Sequence, residues 1–599
     1  MARLADRAER GALVAAFLAA IALPLSDAVG RRLGGLQVPG SASIVQLLTL
    51  WLAFLGGLLA VRENGHLTLS TVELFPEGSR RRRIARVWAY SLAAAVTAVL
   101  AYGSYAVVMA DRQEGQLLPM GLPVWVGECI MPLALALMSL RFVLRASSRT
   151  RGRGAALAAV AAVFGLAFLP RPTGPALWLL AGAIVVAVLV GAPVFVGMAG
   201  GALLLFFSEG TPVSAVPAEI YRLIGSPTLP AIPLLTACGY VLAESRAANR
   251  LVRFFRALSG WMTGGTAVLV ALVCAVFTTF TGGSGITIIA LGGLVYPILR
   301  EEGYPEAFSL GLVTAAGSLG LLFPPSLPVI LYSVVANVPA DQLYLAGLVP
   351  GLVLVVLVAA YGVWAGRRAR AATTPFSLRE VAASAWEAKW ELLLPVLVVG
   401  LFASGLASLV EASAAAAAFA IVVQCAVTRD IHPVRDLPRV LLKAGVLMGG
   451  VLTLLASAMG LTSYLVDAQL PGKLLTYVQA HVHSQLLFLL VLNLLLLVLG
   501  SVLEIYSAIV ILAPLVVPLG LAFHVHPVHL GVIFLANLEL GFLFPPVGLN
   551  LFLSSSRFGK GMPFLYRSIV PFLVISAAGV LLITYLPTLS LGVLKLLGK

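Results

Sequence analysis

The sequence predicts an all-α polytopic membrane protein: an N-terminal four-helix scaffold, then two inverted halves, each holding a re-entrant hairpin and a broken helix. Three observations lead there. Of 599 residues, 60% are hydrophobic and 11% are charged, against about 25% charged in a soluble domain. Clusters of Arg alternate with apolar runs long enough to cross a bilayer. A Gly-x-Leu-Phe-Pro-Pro motif occurs twice, 221 residues apart.

Spanning segments and short connections take up nearly the whole length, which leaves no room for a soluble catalytic domain. The net charge of +14 would suggest nucleic acid in a soluble protein. Here it reads as Lys and Arg gathered on the cytoplasmic side of a membrane, so no nucleic-acid partner is expected. Cys129, Cys238, Cys274 and Cys425 each sit in an apolar stretch and read as buried, inert thiols.

The N-terminus carries Arg3, Arg7 and Arg10 before an apolar run from Gly11 to Val29. The run is long for a signal peptide and lacks a clean cleavage site, so it reads as a retained helix with a cytoplasmic N-terminus, Pro24 and Asp27 marking its outer end. Blocks at 43–61, 84–110, 122–144 and 155–170 follow. If each crosses once, the Arg clusters at 80–83 and 141–153 fall inside, as do Arg246 to Arg256, Arg367 to Arg370 and Arg429 to Arg439. The resulting division is 1–150, a small part of four helices; 151–173, a joining helix; and 174–599, a large part with inverted repeats at 174–366 and 391–592.

The same charge walk demands that block 264–300 enter and leave on one face, so it is a hairpin. Its middle, Thr278-Thr279-Phe280-Thr281-Gly282-Gly283-Ser284-Gly285, is poor in helix formers. Non-helical backbone at that depth survives only against protein or a wet cavity. Pro297 matches Pro518 at the motif's spacing, which places a second hairpin at about 485–523 with its tip near Ser501, Glu504 and Ser507. Each half then has five crossings and a hairpin, an odd count that inverts the second half relative to the first. That is the plan of many secondary transporters, with sites where broken helices meet.

The Pro-Pro pairs break helices, remove backbone donors and leave carbonyls unpaired. Gly320 and Gly541 let the chain turn just before each break, and Thr281, Ser284 and Ser326 add hydroxyls. Such neutral, hard oxygens suit sodium. Glu504 at the second tip either ligates a cation, caps a half-helix or stays protonated; Glu539 stands beside the second break. Asn537 and Asn550 flank that break and serve substrate, ion or packing. His524, His526 and His529 read as solvent-facing residues of an outer loop rather than a zinc site. No His-Glu-x-x-His, Gly-x-Ser-x-Gly or P-loop pattern occurs, so no enzyme is expected.

The stretch Gly317 to Pro328 (GSLGLLFPPSLP) and Asn537 to Asn550 (NLELGFLFPPVGLN) resemble the large membrane subunit of tripartite ATP-independent periplasmic (TRAP) transporters. The first 150 residues resemble the small subunit through Trp51, Gly56, Arg62-Glu63 and His66, so the two subunits look fused. The resemblance implies a sodium-driven, elevator-type importer in the bacterial inner membrane. A periplasmic substrate-binding protein would deliver an organic acid, often a carboxylate or sialic acid. It also implies two or more Na+ ions and no organic cofactor. One sodium site would use Thr281 and Ser284 with backbone oxygens of Gly320, Phe323 and Pro325. The other would use Gly541, Phe544 and Pro546, with the tip around Glu504. Substrate contacts would fall to Gly283, Ser284, Ser326, Asn537 and Asn550. Phe323 and Phe544 depart from the small aliphatic residues usual before the prolines. Two alternatives stand beside this reading: a stand-alone ion-coupled carboxylate transporter, and a polytopic enzyme acting on lipid-linked substrates.

Overall fold

The structure, a computed structural model, describes residues 2–33, 38–63, 79–118, 121–147, 149–165, 170–545 and 547–598. Two of the residues named above, His66 and Pro546, lie outside them. The described residues form helices and connections, with a lone bridge between Leu117 and Pro123. Ten of these helices are long and apolar enough to cross a membrane.

The chain forms two compact units. The first holds Met1–Pro233 and Leu441–Leu470, so it takes in the small part, the joining helix, the first helices of the large part and one helix of the second repeat. These units therefore do not follow the boundaries drawn along the sequence. The helix Leu437–Asp467 belongs with the small part because glycine removes the side chains between them. Gly445 and Gly449 sit four apart on it, and a Cβ at Gly56 of the helix Ser41–Glu63 would lie 2.9 Å from the Gly449 Cα. This is the small-xxx-small device by which membrane helices bring backbones together. The first helix, Ala2–Leu33, runs through Pro24 rather than ending there. Asp27 accepts from the Val38 N–H at 3.0 Å and from the Ser41 hydroxyl. Glu9 is held by both of its oxygens to Arg141 at 2.7 Å.

The second unit holds Leu234–Val440 and Pro471–Lys599 and carries both hairpins and both breaks. Hairpin 1 consists of Gly265–Thr281 and a return arm, Ser284–Ala290 and Gly292–Glu301, bent by 51°. Its two ends meet: Arg256, just before the first arm, pairs with Glu302, just after the second, at 3.3 Å. Hairpin 2 consists of Gln485–Val502 and Ile505–Ala522. Gln485 donates to the His524 carbonyl at 3.3 Å, and Phe488 stacks on Phe523 with ring centroids 4.4 Å apart. Both hairpins inferred from charge and spacing are present, and Pro297 and Pro518 occupy their return arms. Broken helix 1 is Glu306–Ala316 and Leu327–Ala336; broken helix 2 is Pro527–Gly541 and Leu549–Phe558. In the second unit Arg250 is buried against Glu391 (2.6 Å), Asp430 (2.7 Å) and Gln424 (2.9 Å).

Candidate functional site

The site is built where each hairpin tip meets the break of its own repeat. At tip 1, Thr281 ends its helix and Gly282 turns the chain at φ +64, its N–H donating to the Thr278 carbonyl at 2.9 Å. Glycine adopts that left-handed backbone without the clash a Cβ brings. The tip's hydroxyls gather in a buried cluster. The Thr278 and Thr287 Oγ1 atoms are 2.7 Å apart, and Thr281 Oγ1 lies 3.3 Å from that of Thr287 and 3.4 Å from the Gly283 carbonyl oxygen. All three threonines are buried.

Break 1 runs through a series of tight turns with a cis bond between Pro324 and Pro325. Here the carbonyls are better satisfied than a proline break alone suggests. Gly317 O accepts from Thr278 Oγ1 at 2.9 Å, and Gly320 O accepts from Thr279 Oγ1 at 3.3 Å and Phe323 N at 3.2 Å. Phe323 O accepts from Ser326 N at 2.9 Å. Hairpin hydroxyls and turn N–H groups take the place of the lost helical donors, as buried carbonyls require. Each carbonyl keeps a second lone pair. Gly320 permits the approach, since a Cβ there would lie 2.7 Å from the Thr278 Cβ and 2.8 Å from the Thr279 nitrogen.

Break 2 repeats the approach at the matching position. A Cβ at Gly541 would lie 2.7 Å from the carbonyl carbon of Gly500 in hairpin 2, and Thr279 and Gly500 are again 221 residues apart. Gly548 N donates to Ser501 O at 2.9 Å. Gly548 has φ +48, and a Cβ on it would meet the carbonyl oxygens of Phe542 at 2.9 Å and Phe544 at 3.0 Å. At tip 2, Glu504 accepts from Tyr506 N at 3.0 Å, so of its three sequence readings the half-helix cap is the one the hydrogen bonding displays.

The repeats interlock at these junctions. Tyr506 of hairpin 2 donates to Gly282 O of tip 1 at 2.6 Å. Asn550 Nδ2 donates to Thr314 O at 3.2 Å, and Thr314 Oγ1 donates to Ser554 Oγ at 2.8 Å. Buried polar atoms normally have partners, yet Ser284 Oγ, Ser326 Oγ, Asn550 Oδ1 and Glu539 Oε2 have none among the described residues. Three of these four residues, Ser284, Ser326 and Asn550, are ones that sequence reasoning singled out as contacts.

Asn537 lies elsewhere. Its amide donates to Asn493 Oδ1 at 2.5 Å and Ile533 O at 2.8 Å, within a chain that continues through Thr584 to His529. It ties hairpin 2 to broken helix 2 and faces no junction. His529, expected in solvent, is buried there, 3.1 Å from Ser590 Oγ, while His524 and His526 are exposed. Cys238 and Cys274 are buried as expected, but Cys129 and Cys425 are part-exposed. Thr287 and Tyr506 are the site residues that sequence reading passed over. Thr287 stands three residues after Ser284 on the return arm, a same-face helical spacing that a helix reading of that arm would have flagged.

Comparison with known proteins gives these features a family. Residues 181–589 match the family described as tripartite ATP-independent periplasmic transporter, DctM component, and residues 20–152 match the DctQ component. The C4-dicarboxylate TRAP transporter large permease protein DctM of Pseudomonas aeruginosa is 34% identical over 403 residues, covering 67% of this chain and 94% of that protein. The isethionate TRAP transporter permease protein DctMQ of Oleidesulfovibrio alaskensis is 27% identical over 97% of this chain and 94% of its own length. The sialic acid TRAP transporter large permease protein SiaM of Vibrio cholerae is 30% identical over 63% of this chain and 91% of its own. These relatives are permeases, and the polytopic-enzyme reading falls with that finding. The chain belongs to the tripartite ATP-independent periplasmic transporters, with counterparts of both membrane components in one polypeptide.

Proposed function

We propose that the chain imports an organic acid, handed over by a periplasmic binding protein, on the energy of a sodium gradient across the bacterial inner membrane. Relatives named for C4-dicarboxylates, isethionate and sialic acid put the substrate among small organic anions. The observation that carries the reading is the chemistry of the two junctions. Tips and breaks, 278–287 and 317–328 in one repeat and 500–507 and 541–550 in the other, contain no Lys, Arg or His. They offer hydroxyl and carbonyl oxygens, the ligands that unwound helices present to sodium in other transporters.

An anion entering such a neutral site meets no fixed positive charge. Bound sodium supplies it, so the substrate binds well only after the ions, and the empty carrier holds neither. Thr281 and Ser284 with Gly320, Phe323 and Pro325 form the first ion site, and Gly541 and Phe544 form the second. Ser284, Ser326 and Asn550, each with an uncommitted buried oxygen, face the substrate. The second unit, which carries both hairpins and both breaks, moves as a body in an elevator step. If two sodium ions enter with one monoanion at about 100 mV, the net charge yields about 2.3 kcal/mol. A tenfold sodium gradient adds about 1.4 kcal/mol per ion, and the sum of about 5 kcal/mol sustains accumulation on the order of a thousandfold.

The test is uptake of labelled C4-dicarboxylate, isethionate and sialic acid into proteoliposomes holding the full chain, with and without a sodium gradient and a cognate binding protein. Uptake of one acid that requires both supports the proposal. Uptake indifferent to sodium overturns the coupling, and uptake that needs no binding protein returns the stand-alone reading.

A further inference from the structure

We propose that the first unit holds a seated anionic phospholipid, with its headgroup on an arginine cluster and its acyl chains in an apolar groove beside the joining helix. The groove has a volume of about 960 Å³, at the upper end of the roughly 300–1,000 Å³ typical of ligand pockets. Four helices line it: Arg80–Glu114, Thr150–Gly165, Pro175–Leu189 and Val194–Glu209. The inference is independent of the transport reading.

The groove is ordered like a lipid. Along the helix Arg80–Glu114, the lining residues begin with Arg80 and Arg83, pass Trp88, and continue through Leu92, Val99 and Tyr102. At 1.5 Å per residue, Trp88 to Tyr102 covers about 21 Å, room for the acyl chains of one leaflet, about half of the roughly 30 Å hydrocarbon core. A charged end, a tryptophan at the boundary and an apolar length beyond it match headgroup, interface and acyl chain in turn. The joining helix presents the same sequence of features, with Arg149 and Arg151 at its start and Ala159 and Phe164 further along.

The charged end is also uncommitted. Neighbouring arginines are engaged: Arg141 holds Glu9, and Arg145 donates to the carbonyls of Val61 and Arg62. By contrast, among the described residues no carboxylate pairs with Arg80, Arg83, Arg149 or Arg151. Two helices, of 35 and 16 residues, also begin at this end, so the positive poles of both dipoles add to the guanidinium charge. Basic pockets between membrane helices on the cytoplasmic side are where anionic headgroups bind, and positive-inside reasoning puts these arginines on that side.

The experiment delipidates the full chain, returns it to vesicles of phosphatidylethanolamine with or without phosphatidylglycerol, and counts retained lipids by native mass spectrometry. Three variants go beside it: Arg80→Gln/Arg83→Gln/Arg149→Gln/Arg151→Gln, the same four changed to Lys, and Ala159→Phe, which fills the apolar wall. The parent chain should retain phosphatidylglycerol over phosphatidylethanolamine. The Gln variant should lose it by several hundredfold, at about fivefold for each of the four arginines. The Lys variant should keep most of it, and Ala159→Phe should lose it with all charges present. Undiminished retention in the Gln variant, or equal retention of both lipids by the parent, overturns the proposal. Retention in Ala159→Phe would reduce the site to surface attraction, and displacement by inorganic phosphate would reduce it to a simple anion site; either overturns it too.

Discussion

Gly541→Ala tests the close approach on which both junctions depend. The new Cβ would lie 2.7 Å from the carbonyl carbon of Gly500, 2.8 Å from its Cα and 3.1 Å from its oxygen. All three are backbone atoms, and Gly500 has no side chain to swing aside, so hairpin and break must separate by several tenths of an ångström. Overpacking of this kind costs about 1–3 kcal/mol. Borne by the ion-binding conformation, that cost raises the sodium concentration for half-maximal uptake by about 5- to 150-fold. Gly320→Ala repeats the perturbation in the other half, against the backbone of residues 275–279. Gly400→Ala is the control: it lies within a helix and its Cβ would meet nothing within 4 Å. The assay is initial uptake against sodium concentration in proteoliposomes, normalised to reconstituted protein. Parental sodium dependence in both Gly541→Ala and Gly320→Ala, or an equal defect in Gly400→Ala, would refute the reasoning.

Ser284→Ala removes a buried hydroxyl without a partner, so thermal stability should change by less than about 0.5 kcal/mol while sodium-dependent uptake is lost; intact sodium dependence sinks its role as a ligand. Tyr506→Phe deletes the 2.6 Å bond to Gly282 O, worth about 0.5–1.5 kcal/mol, and should raise the half-saturating sodium concentration several-fold; no change would mean tip 1 is positioned without it. Arg250→Gln leaves Glu391 and Asp430 buried without their cation and should destabilise the fold by about 3–5 kcal/mol. Converting all three to Met, Leu and Asn should restore most of that, and an unchanged melting curve for Arg250→Gln would count against the network.

Much of this architecture is legible in the sequence because a bilayer leaves few options. A run of 37 residues whose two ends the charge walk puts on one face has to double back, and the chain over 265–301 does. A six-residue motif recurring at a fixed offset implies that its surroundings recur as well. Side-chain partnerships across the fold are less legible. Asn537 and Asn550 look alike beside a Pro-Pro break, yet one is consumed by Asn493 and the other reaches Thr314. Choosing between them needs the packing of hairpin 2, which no local pattern encodes. His529 fails for the same reason: it stands in the first turn of the helix from Pro527, and only the packing of that turn against Thr584 and Ser590 takes the imidazole into the core. Gly445 and Gly449 form a Gly-x-x-x-Gly spacing that sequence reading left unused, and the spacing alone does not name Gly56 as the partner.

The repeat gives the two junctions the same backbone device and different chemistry. Moving Thr278, Thr281 and Thr287 forward by the motif's spacing lands on Leu499, Val502 and Ala508, so tip 2 lacks counterparts of those three threonines and carries Ser501 and Ser507 instead. Glu504 stands where tip 1 has Gly283, and its carboxylate is spent on the N-terminus of its own helix. A cation at junction 1 would meet hydroxyls as well as carbonyls; at junction 2 the converging donors would be carbonyls. The proposed ions are therefore not interchangeable. On the proposed reading, an ion at junction 2 would hold break and hairpin together through the carbonyls of Phe542 and Phe544 that converge on Gly548.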